Sequence, residues 1–160
     1  MVNKSKNIGT AAESAIVKAF IRGGWPKAKR YAQRGANDVG DIDIHHGITI
    51  EVKAGAAAKT AAESSSDLQV ERWLEETDNE RRRGDADFGI LIMVRRGVPL
   101  KRAEDWWAVM QAGEYADLRG VPDDRFDINP HLPVRFSVQH AIEVLREAGY
   151  CPTTPTPGTK

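Results

Sequence analysis

Gly40-Asp-Ile-Asp-Ile-His-His-Gly-Ile-Thr-Ile-Glu-Val-Lys53 reads as two short strands joined by a tight turn. Successive side chains of a strand point to opposite faces. Asp41 and Asp43 therefore share one face, and Ile42 and Ile44 the other. In the second strand Ile48, Ile50 and Val52 share a face, opposite Thr49, Glu51 and Lys53. His46-Gly47 supplies the turn. Two carboxylate-bearing strands then lie side by side, with acids and a lysine converging on one patch.

The rest of the chain frames this hairpin. With 160 residues, 41% hydrophobic and 29% charged, it has the size and composition of one globular domain. No apolar run approaches the ~20 residues that cross a bilayer, and no apolar segment follows the polar N-terminus as in a secretory signal. The one cysteine, Cys151, excludes an intrachain disulfide and a cysteine-rich zinc site. A cytoplasmic protein is expected. The formal net charge is zero, but residues 1–60 hold 10 Lys/Arg against 5 Asp/Glu, and residues 61–160 hold 13 against 18. A basic N-terminal part suits contact with a polyanion; solvated charge is the plainer alternative.

Along the chain, residues 1–9 read as a flexible basic arm with Lys4 and Lys6, residues 10–150 as the domain, and 151–160 as a disordered Pro/Thr-rich tail. Thr10-Ala-Ala-Glu13 has the capping-box pattern and predicts a helix to about Arg22, with Ile16, Val17 and Phe20 buried. Glu13 sits on that apolar side, either as a cap or pointing inward to a metal or phosphate. Lys27–Arg34 reads as a basic strand with Tyr31 its core contact, and Ala54–Ala62 as a small-residue loop over the site. Ser64 to Asp67 offer N-caps for a helix to about Arg82, apolar at Leu68, Trp73 and Leu74, with Gln69 one turn before Trp73. Arg81-Arg82-Arg83 closes it, suiting the helix dipole or a phosphate equally. Phe88–Arg95 is a central strand, Trp106–Gln111 its partner, and Glu114–Arg119 a short helix. Residues 120–136, with three prolines, read as a loop. Ser137 caps a last helix carrying Val138, Ala141, Ile142 and Leu145, ended by Gly149. The order predicts an α/β sandwich on a mixed sheet of about five strands, without a Rossmann unit or phosphate loop.

Carboxylates on neighbouring strands make an oxygen-rich site suited to Mg²⁺, with Mn²⁺ able to substitute. Asp41 and Glu51 would hold the ion, and Lys53 would place a water or offset developing negative charge. The plainer alternative is an exposed hairpin edge whose charges deter aggregation.

Gly40-Asp41 followed by Glu51-Val52-Lys53, after a helix bearing Glu13, resembles the PD-(D/E)xK nuclease superfamily. Within it the chain is most similar to Holliday junction resolvases of the archaeal type and their phage relatives, over residues 8–112. The resemblance implies a restriction-endonuclease-like core and a Mg²⁺-dependent, structure-selective endonuclease that acts on branched DNA as a homodimer. Asp41, Glu51 and the Val52 carbonyl would ligate the metal, and Lys53 would be the catalytic lysine. Glu13 would support the metal or its water, and Arg34 and Gln69 would contact the scissile phosphate or the surroundings of the metal. Lys4, Lys6, Lys29, Arg30 and Arg34 would hold DNA phosphates. Trp106, Trp107 or the last helix would supply the dimer surface. A phage-encoded copy would work in the host cytoplasm. Gly40 stands where the motif has proline, and Asp43 competes with Asp41 for the metal role. His45 and His46 read as turn residues. A nicking, flap or restriction-like nuclease, or a silent DNA-binding accessory protein, are the alternatives.

Overall fold

The structure, a computed structural model, describes residues 3–32, 35–63, 68–122 and 127–152, apart from the side chain of Ala36. In these segments the chain forms α1 (Lys4–Gly23), β1 (Lys29–Arg30), β2 (Ile42–His45), β3 (Ile48–Lys53), α2 (Ala56–Glu63) and α3 (Leu68–Arg83). There follow β4 (Phe88–Met93), β5 (Trp107–Gln111), α4 (Ala112–Leu118), β6 (Pro133–Ser137) and α5 (Val138–Glu147). The strands make one mixed sheet in the order β1-β2-β3-β4-β5-β6, with β3 and β4 parallel and the other neighbours antiparallel. The parallel pair needs a crossover, and α2 with α3 provides it. This is the helix-flanked α/β architecture expected of a restriction-endonuclease-like core, with six strands instead of about five. Among the described residues no helix is long and apolar enough to cross a membrane.

Alternation along the strands divides the core in two. Ile48, Ile50, Val52, Ile90 and Ile92 face α1 and α5, where Ile16, Phe20, Ile142 and Leu145 close the larger cluster. Leu91, Met93 and Val109 face the other way, against Ala58, Ala61, Val70, Trp73 and Leu74 of α2 and α3. Burying each of the large aliphatic side chains contributes about 1.5–3 kcal/mol. Thr49 and Glu51 are polar groups on this second face, and both are buried.

Several elements differ from expectation. The first helix starts at Lys4, capped by Asn3, whose side chain accepts the Ser5 N–H. Residues 4–9 are therefore helical, and Thr10 and Glu13 lie within the helix. The basic strand shrinks to Lys29–Arg30, both exposed on the sheet edge. Its core contacts come instead from Trp25 and Ala28, which are buried, while Tyr31 is half-buried. Ala54–Ala62 is largely helical, because Ala56-Ala-Ala-Lys-Thr-Ala-Ala-Glu63 has strong helix propensity and lets Ala58, Ala61 and Ala62 sit flat on the sheet. Leu68 is exposed, and Val70 and Thr77 take up the buried stripe of α3 with Trp73 and Leu74. Pro133–Ser137 is an edge strand, with its proline at the first position, where no ladder hydrogen bond is lost. Ser137 caps α5 as expected, accepting the His140 N–H.

The residues expected at a dimer surface are buried or half-buried within the chain. Trp106 is buried and donates to the Val98 carbonyl at 3.1 Å. Trp107 lies between the Arg95 and Arg135 guanidinium groups, 4.5 and 5.9 Å from its ring centre. The apolar side of α5 is core. Ser64 to Asp67, Arg34 and the tail from residue 153 lie outside the described residues.

Candidate active site

The hairpin is held in register by its ends. His45 pairs with Ile48 across the His46-Gly47 turn, and the His45 Nδ1 accepts the Gly47 N–H at 3.0 Å. His46 lies in the turn, whereas His45, expected there too, ends β2 with its ring stacked on that of His46. At the other end the ladder is irregular between Ile42 and His45, and Gly40 bends the chain with φ +112°. A Cβ on Gly40 would lie 2.9 Å from the Ile50 carbonyl oxygen. Only glycine combines that φ with that approach, and a proline, fixed near φ −65°, is excluded. The departure from the motif at this position therefore follows from the local backbone.

The bend puts Asp41 beside β3. Its N–H donates to the Ile50 carbonyl at 2.8 Å, and its Oδ2 accepts the Val52 N–H at 2.8 Å. Val52 enters the site through this N–H. Asp43 goes elsewhere: it faces Lys29 across the β1–β2 ladder, 3.7 Å from its Nζ. The two aspartates are thereby told apart, with Asp41 in the carboxylate patch and Asp43 in an edge ion pair.

Glu51 and Lys53 point from β3 toward α3. Lys53 Nζ lies 2.8 Å from Glu51 Oε1 and 2.9 Å from Glu76 Oε2. Glu80, one helical turn beyond Glu76, lies close enough to Glu51 and Asp41 for these carboxylates to act on its ionisation. One oxygen, Glu80 Oε2, is buried with no hydrogen-bond partner. From α1, Glu13 Oε2 accepts the Arg30 Nε–H at 2.6 Å, and its charge reaches Asp41. Glu13 is thus not a cap; it joins α1 to the edge strand beside the patch.

Gln69 is not part of this group. It borders a surface pocket with Ala56, Ala57, Thr60, Leu68 and Arg72. At ~1.5 Å per residue it stands roughly 10 Å up the α3 axis from Glu76. The side chains α3 sends to the patch are Glu76 and Glu80, and both escaped the sequence reading. Two signals were available: they repeat the face of Gln69 and Trp73 at helical spacing, and Glu80 is an acid in a last turn that otherwise carries Arg81, Arg82 and Arg83.

The charges do not balance locally. Burial and the nearby Glu51 charge push the Asp41 carboxyl up to about 7, although the Val52 N–H partly offsets this. Burial pushes Glu51 up to about 7 as well, against the pull of Lys53. Burial also raises Glu80. For Lys53 burial alone would lower the ammonium, but Glu51 and Glu76 hold it well above its ordinary value. Lys53 is therefore a fixed cation among several acids. Among the described residues no group of three or more His, Cys, Asp or Glu side chains is gathered as a ready metal site. The groups suited to a hard divalent cation are the Asp41 and Glu51 oxygens, with the unpartnered Glu80 oxygen next to them.

The expected phosphate contacts are distributed differently. Lys4 and Lys6 are exposed on the first turn of α1, Lys29 leans on Asp43, and Arg30 is bound to Glu13. Arg81, Arg82 and Arg83 are engaged with Asp78, Glu114 and the Asp38 carbonyl, which supports their structural reading. No family model, curated protein or solved structure matches the chain.

Proposed function

We propose that the chain is a divalent-metal-dependent endodeoxyribonuclease of the PD-(D/E)xK kind, acting as a homodimer on branched DNA and most specifically on four-way junctions. The observation that carries this reading is the fixing of Asp41 by the Val52 N–H beside Glu51, with Lys53 next along the same face. Asp41 and Glu51 would hold a divalent cation, Mg²⁺ or Mn²⁺, which would supply Lewis acidity for phosphodiester hydrolysis. Lys53, whose ammonium form Glu51 and Glu76 favour, would act as an electrostatic and positioning group. In-line attack of water on the phosphorus would form the new P–O bond and break the one on its far side, the water giving its proton to solvent and the leaving oxygen taking one from solvent, while Lys53 offsets the negative charge that builds on the phosphate oxygens. Glu76 orients Lys53, and Glu13 keeps Arg30 at the edge of the site. Lys4, Lys6, Lys29, Arg30 and Arg34 would hold the DNA backbone, so binding weakens as salt rises. Selectivity comes from DNA shape, since no base-reading element is required. The enzyme works on DNA in the cytoplasm, that of the host if a phage encodes it.

Cleavage with Mg²⁺ on four-way junctions, flaps and linear duplex tests this. Junctions are expected to be cut best, with Asp41→Asn and Lys53→Ala each losing about a hundredfold or more in rate. Cleavage that survives both substitutions overturns the mechanism. Equal cutting of duplex and junction overturns the substrate, and DNA binding without cleavage leaves an accessory role.

A further inference from the structure

Beyond Lys53 the sheet ends in a groove. The Val94 N–H donates to the Lys53 carbonyl at 3.1 Å, and past this bond Ala54, Gly55 and Val94 line an opening of about 400 Å³. Gly55 is two residues from Lys53, about 7 Å along an extended chain. The lining is mainly apolar, and it includes Ile8 of α1 and Leu100, which are both exposed. Two cations also line it, Lys59 of α2 and Arg95, and no acid does. Lys59 is half-buried, and among the described residues its ammonium group has no ion pair or hydrogen bond. Nearby arginines are matched instead, Arg96 with Glu63 at 3.0 Å and Arg102 with Asp105. Lys4, exposed, shares the α1 face of Ile8 and Ala12 at the helical spacing of four.

We propose that this groove holds an unpaired nucleotide of the DNA at the branch, its base on the apolar floor and its phosphates on Lys59, Arg95 and Lys4. The proposal rests on the branched-DNA reading above and names the feature of the branch that is bound. Paired DNA turns its charged backbone outward and would leave the apolar floor between these cations uncovered. A nucleotide out of its stack carries an apolar base face and an anion together, which is the combination the groove presents. The volume suits it, since clefts for small ligands begin near roughly 300 Å³. A second copy of the chain fits less well. A two-fold contact centred on the groove sets the same patch against itself, and would bring Lys59 and Arg95 of both copies together with no acid among the lining residues to separate them.

The test is the fluorescence anisotropy of labelled strands with the full chain in EDTA, so that no cleavage intervenes. The probes are a short oligothymidylate and an abasic strand of the same length, which keeps the phosphates and lacks the bases. The unaltered chain is expected to bind the oligothymidylate about tenfold more tightly than the abasic strand. Leu100→Gln is expected to remove most of that difference and to leave abasic binding unchanged, and Ile8→Gln, at the other exposed apolar position, to act in the same way. Lys59→Ala is expected to weaken both probes and to lower the salt slope by about one. Arg146→Ala, at an exposed position on α5 outside the groove, is expected to change either affinity by about twofold at most. Equal affinity of the unaltered chain for the two strands overturns the proposal, as does a preference that survives both Leu100→Gln and Ile8→Gln. A dimer that Leu100→Gln dissociates in sedimentation, with oligothymidylate binding unchanged, overturns it in favour of a second copy in the groove. The two readings fail separately. Junction cleavage without any preference for bases strikes the groove alone, whereas a base preference without junction cleavage upholds the groove and strikes the nuclease.

Discussion

The two flanks of α3 carry the same kinds of residue and solve opposite problems. On one flank Asp78 and Glu114 surround Arg81. Its guanidinium lies 2.8 Å from Asp78 and 3.0 Å from Glu114 and also donates to the Ala86 carbonyl, while Arg82 adds a second cation to Asp78. Acids and bases match there, and the donors find acceptors. On the other flank Glu76 and Glu80 meet Asp41, Glu51 and Lys53, four acids around one ammonium. The same helix, in the same protein, can evidently balance its charges. Where it does not, the imbalance is a property of the site. A structural ion cluster neutralises itself, whereas a binding site leaves charge for its ligand to neutralise.

Exchanging the roles of the two cations would break this comparison most sharply. Lys53→Ala is expected to abolish cleavage and also to lower stability, because it leaves the buried Glu51 among acids of its own sign, a loss that saturating Mg²⁺ should offset. Arg81→Ala strands Asp78 and the half-buried Glu114, and is expected to lower stability by about 2–3 kcal/mol, between the values for exposed and buried pairs. Mn²⁺ affinity should be retained in Arg81→Ala. Urea unfolding and Mn²⁺ titration of both variants decide it. A stability loss in Arg81→Ala that Mg²⁺ restores, or loss of metal binding in Arg81→Ala, would dissolve the distinction between the flanks.

Gly40 provides a second and smaller effect. Gly40→Ala forces a Cβ against the Ile50 carbonyl at a φ that costs L residues about 1–3 kcal/mol. The strain falls on the turn that sets Asp41 against Val52, so stability and cleavage should fall together. Gly55→Ala, at φ +87° but with open space around it, carries the backbone penalty without the collision and should cost less. A thermal melt in which Gly40→Ala matches the unaltered chain would mean that Asp41 is not held by this bend.

How much of this was legible in the sequence depends on how local each feature is. The hairpin was, because strand alternation and a two-residue turn put Glu51 and Lys53 on one face of β3 without reference to the rest of the fold, whereas Asp41, just before β2, is placed by the Gly40 bend. Alternation could not separate Asp41 from Asp43; that took the strand irregularity and Lys29 on a neighbouring strand. Glu76 and Glu80 depended on the rotation and height of α3 over the sheet, which its irregular apolar stripe left undetermined. Pro133–Ser137 lost its strand signal to the proline, which an edge position tolerates. The start of α1 was displaced because the capping box at Thr10 competes with Asn3, and tertiary packing of Ala12, Ala15 and Ile16 extends the helix through it.

The smallest effect is the pH dependence of stability without metal, and it distinguishes the flanks by remedy. Asp41 and Glu51 are raised to about 7 from ordinary values of 3.8 and 4.5. A carboxyl raised in the folded state favours folding when protonated. Its contribution is fully present below the ordinary value and is lost as pH rises through about 7. Glu114, also raised to about 7 by burial, acts in the same direction, although Arg81 opposes it. The metal-free chain should therefore melt higher at pH 5 than at pH 8. Glu51→Gln should reduce that difference, and saturating Mg²⁺ at pH 8 should restore much of it, since a bound cation neutralises the patch as protons do. Glu114→Gln should also reduce the difference, but Mg²⁺ should act on that variant as on the unaltered chain. A melting temperature that rises from pH 5 to pH 8 without metal would show that the carboxylates of the patch are not burdened by their burial.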